Sequence, residues 1–244
     1  MNQEMQSELQ MAAEFQQAVL PKAVNVRYLD IALTYKPLGK VSGDVYDFLL
    51  NREGELGIFL GDATGHGIAA ALMTMMVHIA LESLRRNLPT NESMHRLNEL
   101  IASRDTGRSV TGIFMRISPD GRLAVTHAGH PSIIIIPAGN NDLVLFKEAG
   151  CALGAFNDEP VPYVEEYYQL QPGDKILAYT DAVTERRNTG KTVFGTERLL
   201  NFVRNNRVMD QETLLQRLIQ ELESFSGGNP GADDMTVLVC KYKG

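Results

Sequence analysis

The sequence predicts an α+β fold, and three observations predict it. Candidate strands follow one another through short turns such as NREG and SPDG. Candidate helices come in pairs instead of alternating with single strands, which is not the pattern of a parallel doubly wound sheet. No internal repeat and no Pro/Ser-rich linker divides the chain, so one domain of antiparallel sheets covered by helices is expected.

Residues 3 to 20 have helical character and stop at Pro21, because proline cannot continue a helix. Met5, Leu9, Ala12 and Val19 fall at coiled-coil spacing, with Gln16 as a polar interruption. Two readings stay open: a helix packed on its own domain, or a connector that pairs with a second copy or an upstream module. A linker or dimerisation helix over 1–21 and a domain over 22–244 are therefore the expected units.

VRYLDIALTY alternates Leu29, Ile31, Leu33 and Tyr35 on one side, as a half-buried strand does. DVYDFLL and ELGIFLG, separated by NREG, form a predicted hairpin. Ile68 to Asn87 has helical length and composition, and Asn91 is placed to cap a second helix through Ala102. SVTGIFMRI, RLAVTHA, PSIIIIP, DLVLF, YVEEYYQL and DKILAYT are further strands. GTERLLNFVRN and DQETLLQRLIQELESF are two more helices, and MTVLVCKY closes the chain as a strand after the loop SGGNPGADD.

Composition excludes several classes of function. With 44% hydrophobic and 22% charged residues the chain is an ordinary globular sequence. A net charge of −7 opposes general binding to nucleic acid or anionic lipid, and suits clustered carboxylates neutralised by cations. Cys151 and Cys240 lie in no metal or redox spacing, so no disulfide framework is expected and a reducing cytoplasm is the expected compartment. The polar N-terminus MNQEMQSELQ is no signal peptide, and the apolar run near Ile68–Leu84 carries Thr74, His78, Glu82 and Ser83, too polar for a bilayer.

The stretch GDATGHG, residues 61 to 67, sits where a strand hands over to a helix. It could be a plain turn, a phosphate cradle or one corner of a metal site. It lacks the lysine and glycine spacing of a P-loop and is no dinucleotide fingerprint. Other aspartates share its kind of place: Asp44 at a strand start, Asp181 at a strand end, Asp233 and Asp234 ahead of the last strand. Singly each is an ordinary turn residue. Jointly, if the strand ends converge, like charges must either take up protons or bind cations. Oxygen ligands without a Cys/His cluster favour magnesium or manganese, and two such ions can activate a water against a phosphoryl group. No cysteine-phosphatase loop and no G-x-S-x-G elbow competes with that chemistry.

In these residues the sequence resembles the metal-dependent type 2C (PPM) serine/threonine protein phosphatases, in the bacterial branch typified by stage II sporulation protein E and RsbU. The resemblance runs from about Leu9 to Tyr242 through ELQMAAEFQQAVLP, VSGDVYDF, GDATGHGIAAALMT, TGIF, HAGHP, GDKILAYTDAVTE, FGTERL and DDMTVLV in that order. It implies a four-layer αββα sandwich with two Mn or Mg ions at one edge. It also implies that Asp62 bridges the ions with the Ala63 carbonyl as a further ligand, that Asp44 holds one ion, and that Asp181 and Asp233 hold the other. Asp234 stands behind these ligands or assists a third ion, and the nucleophile is a water bridging the ions. His66 is either a general acid or an orderer of the turn; Gly65 and Gly67 permit the turn in both cases. His127 and His130 are expected to be structural.

Two positions depart from the family pattern. Ala182 stands where glycine is usual after the aspartate, and at a positive φ alanine would cost about 1 kcal/mol and shift Asp181. Ser42 also stands where glycine is frequent. The implied substrate is a phosphoserine or phosphothreonine protein, a STAS-type anti-sigma factor antagonist. The rivals are a non-catalytic scaffold of the same fold, motivated by Ala182, and a two-metal hydrolase of another phosphoester.

Overall fold

The computed structural model describes residues 3–21, 24–65, 67–84, 87–104, 106–146, 150–156 and 162–244. Its elements run α1 (Gln3–Val19), β1 (Leu29–Lys36), β2 (Asp44–Leu50), β3 (Leu56–Ala63), α2 (Ile68–Ser83), α3 (Thr90–Ala102), β4 (Val110–Ile117) and β5 (Arg122–Ala128). They continue with β6 (Ile134–Ile136), β7 (Val144–Leu145), β8 (Glu165–Gln169), β9 (Lys175–Tyr179), α4 (Gly195–Asn206), α5 (Gln211–Ser226) and β10 (Met235–Tyr242). Among the described residues no helix is long and apolar enough to cross a membrane.

Two five-stranded sheets form, ordered β1-β10-β9-β6-β7 and β2-β3-β4-β5-β8, and the strand pairs within each are antiparallel. The alternation read in β1 has a double use. Leu29, Ile31, Leu33 and Tyr35 join the core between the sheets, while Ala32 on the opposite face packs with the α5 residues Leu215 and Leu218. A second apolar layer fills the space between the β2 sheet and the helices α2 and α3, through Phe59, Phe114, Val77 and Leu97. The α+β prediction and the αββα sandwich implied by the resemblance both hold. Each fully buried Leu, Ile or Phe in these layers contributes about 1.5–3 kcal/mol by leaving water.

One packing detail shapes the strand that carries Asp62. The Phe59 ring lies over Gly61 and its cross-strand partner Gly112, where an added Cβ would come within 2.9 Å and 2.8 Å of the ring. Glycine at both positions lets β3 and β4 accept the ring without bending.

The helices correct two expectations. α3 begins at Thr90, and Asn91 is not its cap. The Glu165 carboxylate, on β8, accepts from both the backbone N–H and the hydroxyl of Thr90 at 2.6 Å, so a distant strand satisfies the helix start. α2 ends at Ser83, short of the predicted Asn87, where Leu84 turns extended. Gln16 is no mere interruption in α1. Its buried carboxamide donates to the Ser42 carbonyl at 2.8 Å and to the Thr74 hydroxyl at 2.9 Å, and accepts from the Ser42 N–H at 2.9 Å. With Ala13 against Val41 and Ala71, this fastens one face of α1 onto α2 and the loop before β2.

Candidate metal centre

The site lies at one edge of the sandwich, where strands from both sheets end. In β3 the residues Ile58 and Leu60 face the core between the sheets, and the same period carries Asp62 out to the rim. The β2–β3 hairpin sets Asp44 directly opposite Asp62. From the other sheet, β9 ends at Tyr179 and runs into a single 3-10 turn, Asp181–Val183, while Asp233 stands in the loop two residues before β10. β9 and β10 are neighbours, so these two carboxylates emerge side by side.

Asp62, Asp181 and Asp233 each offer a carboxylate oxygen within 4.8 Å of the others. That joins three of the predicted ligands, one from the β2 sheet and two from the β1 sheet. Burial, followed by the negative charges of Asp44, Asp181, Asp233 and Asp234, pushes the Asp62 carboxyl up to about 8. Burial also raises Asp181, with Glu185 and Asp233 adding to it. Two half-buried carboxylates and the exposed one of Asp233, brought together so that they repel one another, are a donor set for a hard cation, so the residues present fit a divalent ion.

Asp44 stands beside this trio in a different setting. It is almost fully buried, and its Oδ2 accepts from the hydroxyls of Thr236 at 2.6 Å and Thr180 at 3.1 Å. Burial raises its carboxyl to about 7; the two threonine hydroxyls oppose the rise, and Asp234 and Asp233 reinforce it. Thr180 immediately precedes Asp181 and Thr236 follows Asp233 by three residues, so Asp44 ties its own sheet to the roots of the other sheet's two carboxylates. No local signal in TDAVTE or DDMTVLV marks those threonines, because their partner lies far away in sequence.

Asp234 holds backbone. Its two oxygens accept from the N–H groups of Leu38 and Gly43 at 2.6 Å each, which fixes the loop into β2. Ala63 donates its own N–H to the Gly43 carbonyl at 2.9 Å, and its carbonyl lies 3.2 Å from where a Gly43 Cβ would stand, so only glycine leaves that rim clear. Ser42 uses its hydroxyl to accept from the Asp44 N–H at 3.1 Å.

The turn after Asp62 behaves as its glycines require: Gly65 and Gly67 have φ of 89° and 79°. Arg108, which the sequence did not single out, donates from Nη1 to the Thr64 carbonyl at 2.7 Å, and a Cβ on Gly65 would stand 2.8 Å from that nitrogen. His66 lies outside the described residues. Ala182 sits inside the right-handed 3-10 turn, and Lys191 alone among described non-glycine residues has a positive φ, so alanine there strains nothing.

The sequence profile of the stage II sporulation protein E (SpoIIE) family matches residues 52–243. Phosphoserine phosphatase RsbU of Bacillus subtilis (strain 168) is 29% identical over 189 residues, covering 76% of this chain and 56% of that protein. Protein IcfG of Synechocystis sp. is 25% identical over 262 residues, covering 95% of this chain and 41% of that protein. The chain therefore spans about half the length of the curated relatives it matches. Among solved structures, the SiaA-PP2C domain of Pseudomonas aeruginosa superposes with a TM-score of 0.84 at 21% identity, covering 98% of both chains. The phosphatase domain of SpoIIE from Bacillus subtilis, solved with a fragment of its regulatory domain, superposes with a TM-score of 0.71 at 17% identity, covering 88% of this chain and 63% of that one.

Proposed function

This chain belongs to the SpoIIE family, in the RsbU-like branch of the metal-dependent type 2C class, and from that premise we propose that it hydrolyses phosphoserine or phosphothreonine on a regulatory protein. The observation that carries the reading is the meeting of Asp62, Asp181 and Asp233 at the sandwich rim. Asp62, with the Ala63 carbonyl, and Asp181 with Asp233 would hold two divalent cations, Mn or Mg, with Asp44 as a further ligand close behind. Bound there, the cations supply Lewis acidity and an activated water for phosphoester cleavage. The chain's own part is to hold the carboxylates on rigid strand ends, so that little reorganisation is needed when substrate arrives. His66 is assigned no step.

The proposed substrate is a STAS-type anti-sigma factor antagonist, whose dephosphorylation would release a sigma factor from its inhibitor. Support comes from the family and from the RsbU relative, which is named a phosphoserine phosphatase. The scaffold alternative loses its motive, since Ala182 occupies a turn that alanine tolerates.

The test is phosphate release. With manganese present, the chain is expected to hydrolyse a generic aryl phosphate and to prefer a phosphoserine protein over nucleotides. Silence on the aryl phosphate returns the scaffold reading, and a preference for nucleotides returns the other hydrolase.

Control is proposed to enter through residues 1–21, as a unit attached to the phosphatase domain over 22–244. Gln16 joins α1 to Ser42, two residues before Asp44, and the outer side of the α1–α2 pair is apolar, with Phe15 and Leu72 64% and 66% exposed. Pairing with a second copy or an upstream sensor module would act on the metal rim through that joint. Deleting residues 1–20 should change activity, oligomeric state or both; a truncated protein identical in each respect removes the proposal.

A further inference from the structure

His130 is buried in the crossover from β5 to β6, and the residue before it, Gly129, bridges to Gly112 on β4. Its Nδ1 lies 3.1 Å from the Thr111 hydroxyl. Thr111 is the cross-strand partner of Asp62, and its hydroxyl lies 3.5 Å from the Asp62 backbone carbonyl.

The other side of the ring meets the opposite sheet. Thr180 donates its backbone N–H to Thr236 at 3.0 Å. Bonding alternates along an antiparallel pair, so one residue earlier the polar backbone groups of Tyr179 point away from β10, toward the flank of β6. There β6 has not begun, because Ile134 pairs with Leu177. The Tyr179 carbonyl therefore faces the side of the rim where His130 lies, close enough to pull the imidazole pKa upward, while Nε2 itself completes no hydrogen bond. Asp181 follows two residues later.

A neutral imidazole offers one lone pair and one N–H. Burial, together with the nearby His127, holds the ring neutral by lowering it to about 3, against a smaller upward pull from the Tyr179 carbonyl. The Nδ1 lone pair suits the Thr111 hydroxyl, which leaves the N–H on Nε2, buried and without a hydrogen-bond partner, facing the opposite sheet.

We propose that His130 is a positioning residue for the metal centre: its ring spans the sandwich rim from Thr111 to Tyr179 and thereby sets the separation of Asp62 from Asp181. This rests on the two-cation reading above. It gives the HAGHP motif a task, and it complements Asp44, which joins the sheets through Thr180 and Thr236 on the far side of the same ligands.

Calorimetric titration of the full chain with manganese tests the proposal without needing turnover. His130→Leu keeps bulk and removes both polar atoms; it is expected to weaken manganese binding about tenfold or more, in the range found for groups that orient ligands. His130→Gln, whose carboxamide again offers an acceptor and a donor, should recover most of that loss, which a purely space-filling role would not predict. Thr111→Val, nearly isosteric, should weaken binding in the same direction and serves if the leucine variant fails to fold. A folded His130→Leu or Thr111→Val protein with wild-type manganese affinity overturns the proposal. If the wild-type chain itself takes up no manganese, the two-cation reading falls with it; if wild type binds and Asp62→Asn does not, that reading stands whatever the His130 variants show.

Discussion

Asp62→Asn is expected to abolish turnover, by about a thousandfold or more, while leaving a folded and more heat-stable protein. The loss follows from charge. Asparagine keeps the shape of the side chain but gives up the anion that both proposed cations share, and a thousandfold loss corresponds to about 4 kcal/mol of transition-state stabilisation. The gain in stability has the same origin. Asp62 is crowded by Asp44, Asp181, Asp233 and Asp234, so in the metal-free rim it must either take up a proton or bear the repulsion, a cost that asparagine avoids. Steady-state rates with manganese and a thermal melt in chelator check the two halves. Wild-type turnover by a well-folded variant would dismiss Asp62 as a ligand.

A second large effect is expected from pH and metal together. Asp62 and Asp44 have carboxyls raised to about 8 and about 7 in the folded chain, above the ordinary carboxylate value near 4. Between those values the folded state binds protons that the unfolded chain has released. Stability from these groups is therefore complete below about pH 4 and lost as pH rises through 7 to 8. The metal-free protein should melt at progressively lower temperature from pH 5.5 to pH 8.5. Manganese at a hundredfold excess over its dissociation constant should add about 2.7 kcal/mol. For a chain of this size that is a rise of about 5–10 °C, at roughly 2–4 °C per kcal/mol. Because the cations replace the protons, the benefit should grow toward alkaline pH. A melting temperature equally indifferent to manganese and to pH across this window would contradict the carboxylate cluster.

Much of this architecture is legible in the chain. Period-two alternation and turn residues place β1 to β5 and β8 to β10, since those signals are local. Aspartates at strand ends mark the rim for a similar reason: each sits where an apolar run stops. Pairings over long separations leave no such mark. Nothing near Asn91 discloses that Glu165, on another strand, will take the capping role at Thr90. Nothing near Asp44 points to Thr236, 192 residues away. Gln16 read as a flaw in an apolar seam because its partners, Ser42 and Thr74, come from two other segments. The glycine pattern cautioned against Ala182, and the backbone of that turn removes the caution.

The trio of carboxylates draws one member from the β2 sheet and two from the β1 sheet, and this has a consequence for timing. A nascent or half-assembled chain owns no more than a fragment of the chelate. Cations can thus do little to guide the early collapse, and they act as a clasp on the finished sandwich, slowing its opening more than they hasten its making.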